Sequence, residues 1–201
     1  MGNDFDAVSA QLASTLNVHV RSAAPEYGGS LAPGSALPSG PYDAVFVIAE
    51  GTSPHAVQAH AVPMVMAATA RLLDWNLGPV VLAENARVAL GDEIGARMHA
   101  AMVVVLIGEH AECTAAASLS AYLTYAPTVG RSDVERHRIS NIHEAGLSYA
   151  AAADKLEGLM SQARQLAGRV EPHDDSADTL GPYSIDILLD SEPGKLRSSK
   201  K

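Results

Sequence analysis

Cysteine, aromatic residues and positive charge are all scarce in this 201-residue chain. A single cysteine, Cys113, excludes an internal disulfide, so we expect a reducing, cytoplasmic setting. The formal net charge of -9 argues against nucleic-acid binding, because clustered lysine and arginine are needed to hold a polyanion. No apolar run is long enough to cross a bilayer, and the acidic N-terminus lacks the apolar segment of a secretory signal. The sequence therefore predicts neither a nucleic-acid nor a membrane partner.

Several motifs that would indicate a reaction are also missing. No G-x-G-x-x-G follows a predicted strand and no G-x-x-x-x-G-K-[ST] occurs, so the glycines that cradle phosphate in dinucleotide-binding and P-loop proteins are absent. There are eight histidines but no H-E-x-x-H, and His55 and His60 are five residues apart, on different faces of a helix. Cys113 has no recognisable nucleophile signature around it. We therefore predict no catalytic residue and no metal site.

The residues that are abundant indicate a buried α/β core. Apolar residues make up 47% of the chain and aromatic residues only 4%, so the core is built from alanine, valine and leucine. Residues 102–107 form an apolar run rich in valine, which predicts a strand buried on both faces. Residues 44–49 form a second such run. After it, Gly51 permits a sharp turn, Ser53 is a good N-cap, and Pro54 suits the first helical position.

Strands and helices alternate along the chain. Strands at 44–49, 80–82 and 102–107 alternate with a helix from Pro54 to about Leu73, containing Pro63, and a helix at 91–99. This order predicts a doubly wound, mainly parallel, Rossmann-like sheet of four or five strands. Residues 121–125 and 139–142 continue the pattern, and Ser148 begins the longest helix.

The distribution of glycine, proline and charge predicts a single domain with flexible termini. Residues 1–41 form an N-terminal segment that ends in a linker rich in glycine, proline and serine. Residues 42–170 form the α/β domain. Residues 171–201 form a polar tail, within which residues 183–189 are expected to dock as a short strand.

Glu109 is the most informative candidate for a binding residue. It follows a buried strand and Gly108, at the sheet edge where ligands of α/β proteins bind, and a carboxylate there accepts hydrogen bonds from ligand hydroxyls and amides. The alternative is a carboxylate that caps a nearby helix. Residues 51–54 offer a second candidate, because the N-terminus of a helix can hold an anion.

The chain resembles the small (light) subunit of ethanolamine ammonia-lyase in several blocks that occur in the order of that family. The resemblance covers about residues 42–165. The blocks are 43–53 (DAVFVIAEGTS), 56–63 (AVQAHAVP), 87–95 (RVALGDEIG), 103–109 (VVVLIGE), 118–127 (SLSAYLTYAP) and 139–142 (ISNI).

The resemblance implies an enzyme that depends on adenosylcobalamin and converts ethanolamine to acetaldehyde and ammonia by radical chemistry. A large subunit, a TIM barrel, would hold the substrate. The Rossmann-like small subunit would cover the cofactor where the two chains meet, and it would be active only with that partner. The implied location is the cytoplasm, with a bacterial microcompartment as the more specific alternative.

The family's cobalamin contacts fall on Val88, Glu109 and Arg138 of this chain. Glu109 would accept from corrin amides, and Arg131 and Arg136 lie near enough in sequence to meet the phosphate of the nucleotide loop. The family usually has cysteine at the position of Arg138, and commonly reads Gly-Glu-Arg-Pro-Gly where residues 108–112 read GEHAE.

Two alternative functions stay open at this point. One is a non-catalytic assembly or regulatory relative that has lost cofactor binding, in which Arg138 would point into the corrin edge. The other is a stand-alone binder of a small phosphorylated ligand that uses residues 51–54.

Overall fold

The computed structural model describes residues 4–12, 17–23, 30–110 and 117–167. The elements in these ranges are α1 (Asp4–Gln11), β1 (Asn17–Arg21), β2 (Tyr42–Ala49), α2 (Pro54–Thr69), β3 (Val80–Glu84), α3 (Leu90–Arg97), β4 (Ala100–His110), β5 (Ala117–Tyr125), β6 (His137–Ile142) and α4 (Tyr149–Ala167). A single 3₁₀ turn, Asp133–Glu135, precedes β6. The expected docking strand at 183–189, the tail 171–201 and Cys113 lie outside the described residues.

The strands of the described ranges form one six-stranded sheet in the order β1-β3-β2-β4-β5-β6. Strands β1 to β4 pair in parallel, whereas β5 is antiparallel to both β4 and β6. The predicted α/β class and mainly parallel sheet are confirmed, but the expected number of four or five strands is too low. Only residues 111–116 separate β4 from β5, too few for the crossover that a parallel pair requires.

Helices cover both faces of the sheet. Ala44, Phe46 and Ile48 of β2 pack in a core with α1, α2 and α4, whereas Val45 and Val47 face the core that contains α3. Strand β4 divides its side chains between the same two cores. The absence of polar alternation in β2 and β4 therefore correctly indicated burial on both faces.

The turn from β2 into α2 forms as the sequence predicts. Gly51 has a φ of +63°, in the left-handed region that glycine adopts at little cost. The Ser53 hydroxyl accepts a hydrogen bond from the Ala56 amide, and Pro54 occupies the first turn. The helix continues through Pro63 and ends at Thr69, four residues before the expected Leu73.

The N-terminal segment contributes to the core. Phe5 and Val8 of α1 and Leu12 are buried against α2, and β1 pairs with β3 along its whole length. Both elements lie within the predicted segment 1–41, where the sequence shows only a weak amphipathic pattern. Residues 30–41 have little regular structure, as the glycine and proline content indicates.

Replacing Ser53 by alanine is expected to lower the free energy of unfolding by about 1.5 kcal/mol. The Ala56 amide would lose its hydrogen bond to the Ser53 hydroxyl, and because the site is fully buried, water cannot take the place of that hydroxyl. Ser148 is the matched control. It accepts from the Ala151 amide at the same distance of 3.3 Å but is exposed, so Ser148→Ala should cost only about 0.5 kcal/mol. Urea unfolding of both variants measures the difference. An equal or larger loss in Ser148→Ala would contradict the role of burial.

Candidate functional site

A cleft of about 290 Å³ opens at the carboxyl ends of the three central parallel strands. Its walls are residues 50–52 after β2, residues 85–87 after β3, and residues 107–109 of β4. The next strand after β2 in the chain, β3, lies on one side of β2, and the strand after that, β4, lies on the other side. The order of the strands therefore reverses at β2. Ligands of α/β sheets bind at such an edge, and the cleft includes Gly108 and Glu109, where the sequence predicts the site.

Two glycines bring the loop after β2 against β4. The carbonyl oxygen of Gly108 accepts from the amides of Thr52 at 2.9 Å and Ser53 at 3.2 Å. A Cβ atom at Gly51 would lie 2.2 Å from this oxygen, and one at Gly108 would lie 2.1 Å from the Ser53 carbonyl oxygen. The helix-terminal amides of Thr52 and Ser53 are therefore already engaged, which argues against the phosphate site considered for residues 51–54.

The opposite wall of the cleft is held by Glu50. Its carboxylate accepts from the backbone amide of Asn85 at 2.9 Å, which joins the ends of β2 and β3. Asn85 has a φ of +52°, a left-handed conformation that asparagine tolerates better than most residues. The walls of the cleft are thus held together by hydrogen bonds within the chain itself.

Glu109 lies at the edge of the cleft, and three side chains of the described ranges donate hydrogen bonds to it. The Tyr122 hydroxyl donates to Oε1 at 2.9 Å, and the Ser120 hydroxyl donates to Oε2 at 2.8 Å. The Arg138 guanidinium donates to the same Oε2 atom and forms an ion pair with it. In the part of the chain that the structure describes, the donors to Glu109 thus come from strands β5 and β6 and not from a helix terminus, the alternative that its sequence position left open.

Arg138 lies on β6, directly across from Tyr122 of β5. Its guanidinium carbon is 5.5 Å from the centre of the Tyr122 ring, close enough for a cation–π interaction, while half of the side chain stays exposed. The side chain thus points toward the cleft edge and Glu109. Two of the three predicted contact residues are therefore direct neighbours.

Val88, the third predicted contact residue, does not line the cleft. Its neighbour Arg87 does, and the Val88 side chain is half-buried against the core on the α3 side of the sheet. The Val88 carbonyl accepts from the Gly91 amide at 3.0 Å in the turn that leads into α3.

Ser120 and Tyr122 were not predicted as partners of Glu109. A signal was present, because Ser118, Ser120, Tyr122 and Thr124 alternate with apolar residues along β5 and so share one face of the strand. The antiparallel register that aligns this face with Glu109 was not predicted.

Tyr122 is a hydrogen-bond donor over the whole physiological pH range. Burial raises the pKa of Tyr122 to about 12, and the hydrogen bond to Glu109 and the charge of Glu109 act in the same direction. The phenol therefore keeps its proton and continues to orient the carboxylate at neutral pH.

Arg136 is not available to a phosphate group. Its side chain is only 1% exposed and pairs with the equally buried Asp92 on α3, and also with Asp133. Arg131 donates to the Ala126 carbonyl and pairs with Glu135. The expectation that these two arginines meet a ligand phosphate is not supported by their contacts.

One histidine lies in a polar cluster beside α4. His60 Nδ1 is 2.8 Å from the Tyr149 hydroxyl, and the rings of His60 and His143 are 6.4 Å apart. Burial lowers the pKa of His60, so the ring is mainly neutral at pH 7. In the described part of the chain, no group of three His, Cys, Asp or Glu side chains could hold a metal ion.

None of the helices within the described ranges combines the length and apolar character needed to cross a bilayer.

Comparison with known families gives a match over most of the chain. Residues 12–171 match the family described as ethanolamine ammonia-lyase light chain (EutC). This range includes the cleft, Glu109 and both strands that supply its hydrogen-bond donors.

Three curated relatives, each named ethanolamine ammonia-lyase small subunit, are similar to the chain. The relative from Rhodopseudomonas palustris is 51% identical over 138 residues, covering 67% of this chain and 52% of the relative. The relative from Ralstonia nicotianae is 41% identical over 170 residues, covering 84% and 56%. The relative from Bradyrhizobium diazoefficiens is 48% identical over 155 residues, covering 75% and 59%. The chain thus spans little more than half the length of these relatives.

Proposed function

The chain belongs to the ethanolamine ammonia-lyase light-chain family, and from this premise we propose that it is the small subunit of an adenosylcobalamin-dependent ammonia-lyase. With a large subunit that holds the substrate, it would take part in converting ethanolamine to acetaldehyde and ammonia, and it would be active only in that complex. The bound cofactor supplies the radical chemistry, whereas the protein binds it and excludes water. The proposal includes a Rossmann-like fold and a cytoplasmic location, within a bacterial microcompartment as the more specific site.

The observation that carries this proposal is the position of Glu109. A corrinoid is rimmed by amide groups, and a fixed carboxylate at the edge of a cleft is a suitable acceptor for them. Ser120 and Tyr122 hold the carboxylate in place without using all its acceptor sites, because two oxygens can accept about four hydrogen bonds. The donor set around Glu109 therefore fits the chemistry of the cofactor.

The size of the cleft supports the need for a partner chain. Its volume of about 290 Å³ is at the lower limit for a small-molecule site, so a ligand as large as a corrinoid could place only one edge there. The rest of the cofactor would need to be covered by another surface, which we assign to the large subunit. In this arrangement Val88 would pack near the corrin through the turn before α3, and Arg138 would lie at the same edge as Glu109.

A second candidate function is favoured by the orientation of Arg138. Its guanidinium points toward the cleft edge and already forms an ion pair with the Glu109 carboxylate. This is expected for a relative that keeps the fold and the partner surface but has lost cofactor binding. Such a chain would assemble with a large subunit without increasing its affinity for cobalamin.

The test is co-purification with an ethanolamine ammonia-lyase large subunit, followed by titration of the complex with adenosylcobalamin. Glu109→Gln is expected to weaken cobalamin binding about tenfold, because a charged acceptor is replaced by a neutral one. Glu157→Gln is the matched control, since Glu157 also accepts from a serine, Ser161, at 2.7 Å, but on α4. It should leave affinity unchanged.

Each result discriminates between the candidates. If Glu109→Gln binds cobalamin as tightly as the wild type, Glu109 is not a contact. A complex that forms without binding cobalamin would favour the assembly relative. Failure to form any complex would reject the small-subunit function itself.

A further inference from the structure

The three donors to Glu109 differ in how firmly they are held. Ser120 is fully buried and Tyr122 is half-buried, and both project from β5 in the middle of the β4-β5-β6 part of the sheet. Arg138 comes from the edge strand β6, and half of its side chain is exposed. Ser120 and Tyr122 are therefore fixed parts of the site, whereas the half-exposed guanidinium of Arg138 has solvent to move into once its contacts with Glu109 and Tyr122 are broken.

The two carboxylate oxygens of Glu109 also differ in the number of hydrogen bonds that they accept. Among the described residues, Oε1 accepts from Tyr122, whereas Oε2 accepts from both Ser120 and Arg138, which uses its two lone-pair directions. A primary amide of a ligand could reach the second acceptor position of Oε1, which no side chain of the described ranges occupies. To reach Oε2 it would have to displace Arg138, because Ser120 is enclosed by the protein.

We propose that Arg138 competes with ligand amides for Glu109 and thereby sets the cofactor affinity of the cleft. The proposal rests on the proposed function, because it takes the amide-rimmed corrinoid as the ligand. In this arrangement Arg138 is a specificity-determining residue that closes the acceptor when no amide is present. The stack on Tyr122 and the ion pair with Glu109 hold it there, and ligand binding must break both contacts.

The chain contains a matched control for this arginine. Arg164 on α4 also combines an ion pair, to Asp43 at 3.1 Å, with a cation–π contact, 4.5 Å from the Trp75 ring centre. Its exposure, 48%, matches the 50% of Arg138. Neither Arg164 nor its partners line the cleft. Methionine at either position keeps a long unbranched side chain without the charge.

The experiment is equilibrium titration of adenosylcobalamin into the complex with the large subunit, for wild type, Arg138→Met and Arg164→Met. Arg138→Met is expected to bind about fivefold more tightly, because a competing contact of about 1 kcal/mol is removed. The affinity of the wild-type complex for adenosylcobalamin should increase between about 0.05 M and 0.5 M salt, because salt screens the ion pair between Arg138 and Glu109 that competes with the ligand. Arg138→Met should lose this increase, whereas Arg164→Met should behave like the wild type.

The proposal that Arg138 competes with the ligand is wrong if Arg138→Met binds cobalamin more weakly than the wild type, since Arg138 would then donate to the cofactor directly. It is also overturned if the two affinities are equal at both salt concentrations. Binding by Arg138→Met alone would support it most strongly. If the complex forms but no variant binds cobalamin, the proposed cofactor function fails, and the competition fails with it.

Discussion

Replacing Arg136 by alanine is expected to lower the free energy of unfolding by about 3–5 kcal/mol, because a buried carboxylate would lose its counter-charge. The side chains of Arg136 and Asp92 are each only 1% exposed, and the guanidinium also donates to the Arg131 carbonyl at 3.0 Å. The pair connects α3 to the segment before β6, across 44 residues of sequence. Chemical denaturation of the purified chain measures the loss.

Two variants separate the buried charge from a general effect of losing an arginine. Arg97→Ala removes an exposed partner of Glu93 on α3 and should cost no more than about 1 kcal/mol. The double variant Asp92→Asn, Arg136→Met should lose less than the sum of its two single variants, because it leaves no buried charge unpaired. The prediction is wrong if Arg136→Ala is no more destabilising than Arg97→Ala.

Replacing Gly108 by alanine is expected to cost about 3 kcal/mol, because the new methyl group would meet backbone that cannot easily move. The added Cβ would lie 2.1 Å from the Ser53 carbonyl oxygen and 3.0 Å from that of Glu50. Relief of this overlap would pull the Gly108 carbonyl away from the amides of Thr52 and Ser53 and so open the cleft. Thermal and urea unfolding should both report the loss.

Gly158 on α4 is the matched control, because the same substitution there is expected to stabilise the chain rather than destabilise it. A Cβ there would have no atom within 4 Å, and the position is inside a helix, so Gly158→Ala should stabilise the chain by about 0.5–1 kcal/mol. If Gly108→Ala unfolds like the wild type, the loop after β2 adapts freely and the cleft is less rigid than its contacts indicate.

The elements that sequence reasoning predicted well are those whose cause is local. The apolar run of β4 and the sequence of Gly51, Ser53 and Pro54 act within a few residues, so their outcome does not depend on the rest of the fold. Strand β1 was not predicted, because five residues with one buried side chain carry too weak a pattern. Pairing with β3 stabilises the extended conformation of β1, which its own sequence does not specify.

The candidate site divides in the same way. Glu109 could be predicted as a candidate from its position at the end of a buried apolar run, although β4 extends past it to His110. The family resemblance named Arg138 and Val88 as candidates, and the structure brings Arg138 to Glu109 but does not place Val88 in the cleft. The contact between Glu109 and Arg138 joins residues 29 positions apart, and it exists because β5 turns back between them. The partners Ser120 and Tyr122 depend on the same register and stay hidden until it is known.

The sequence by itself determined the α/β class, the two strands buried on both faces, the capped start of α2 and the place of Glu109 near the carboxyl end of β4. These features follow from residue size, backbone preference and patterns of two to four residues. Tertiary structure alone decided that β5 runs antiparallel, that Arg136 is buried against Asp92, and that Arg138 occupies the carboxylate of Glu109. Charged side chains look alike in a sequence, and only the pairing of distant strands determines which are desolvated and which meet at the cleft.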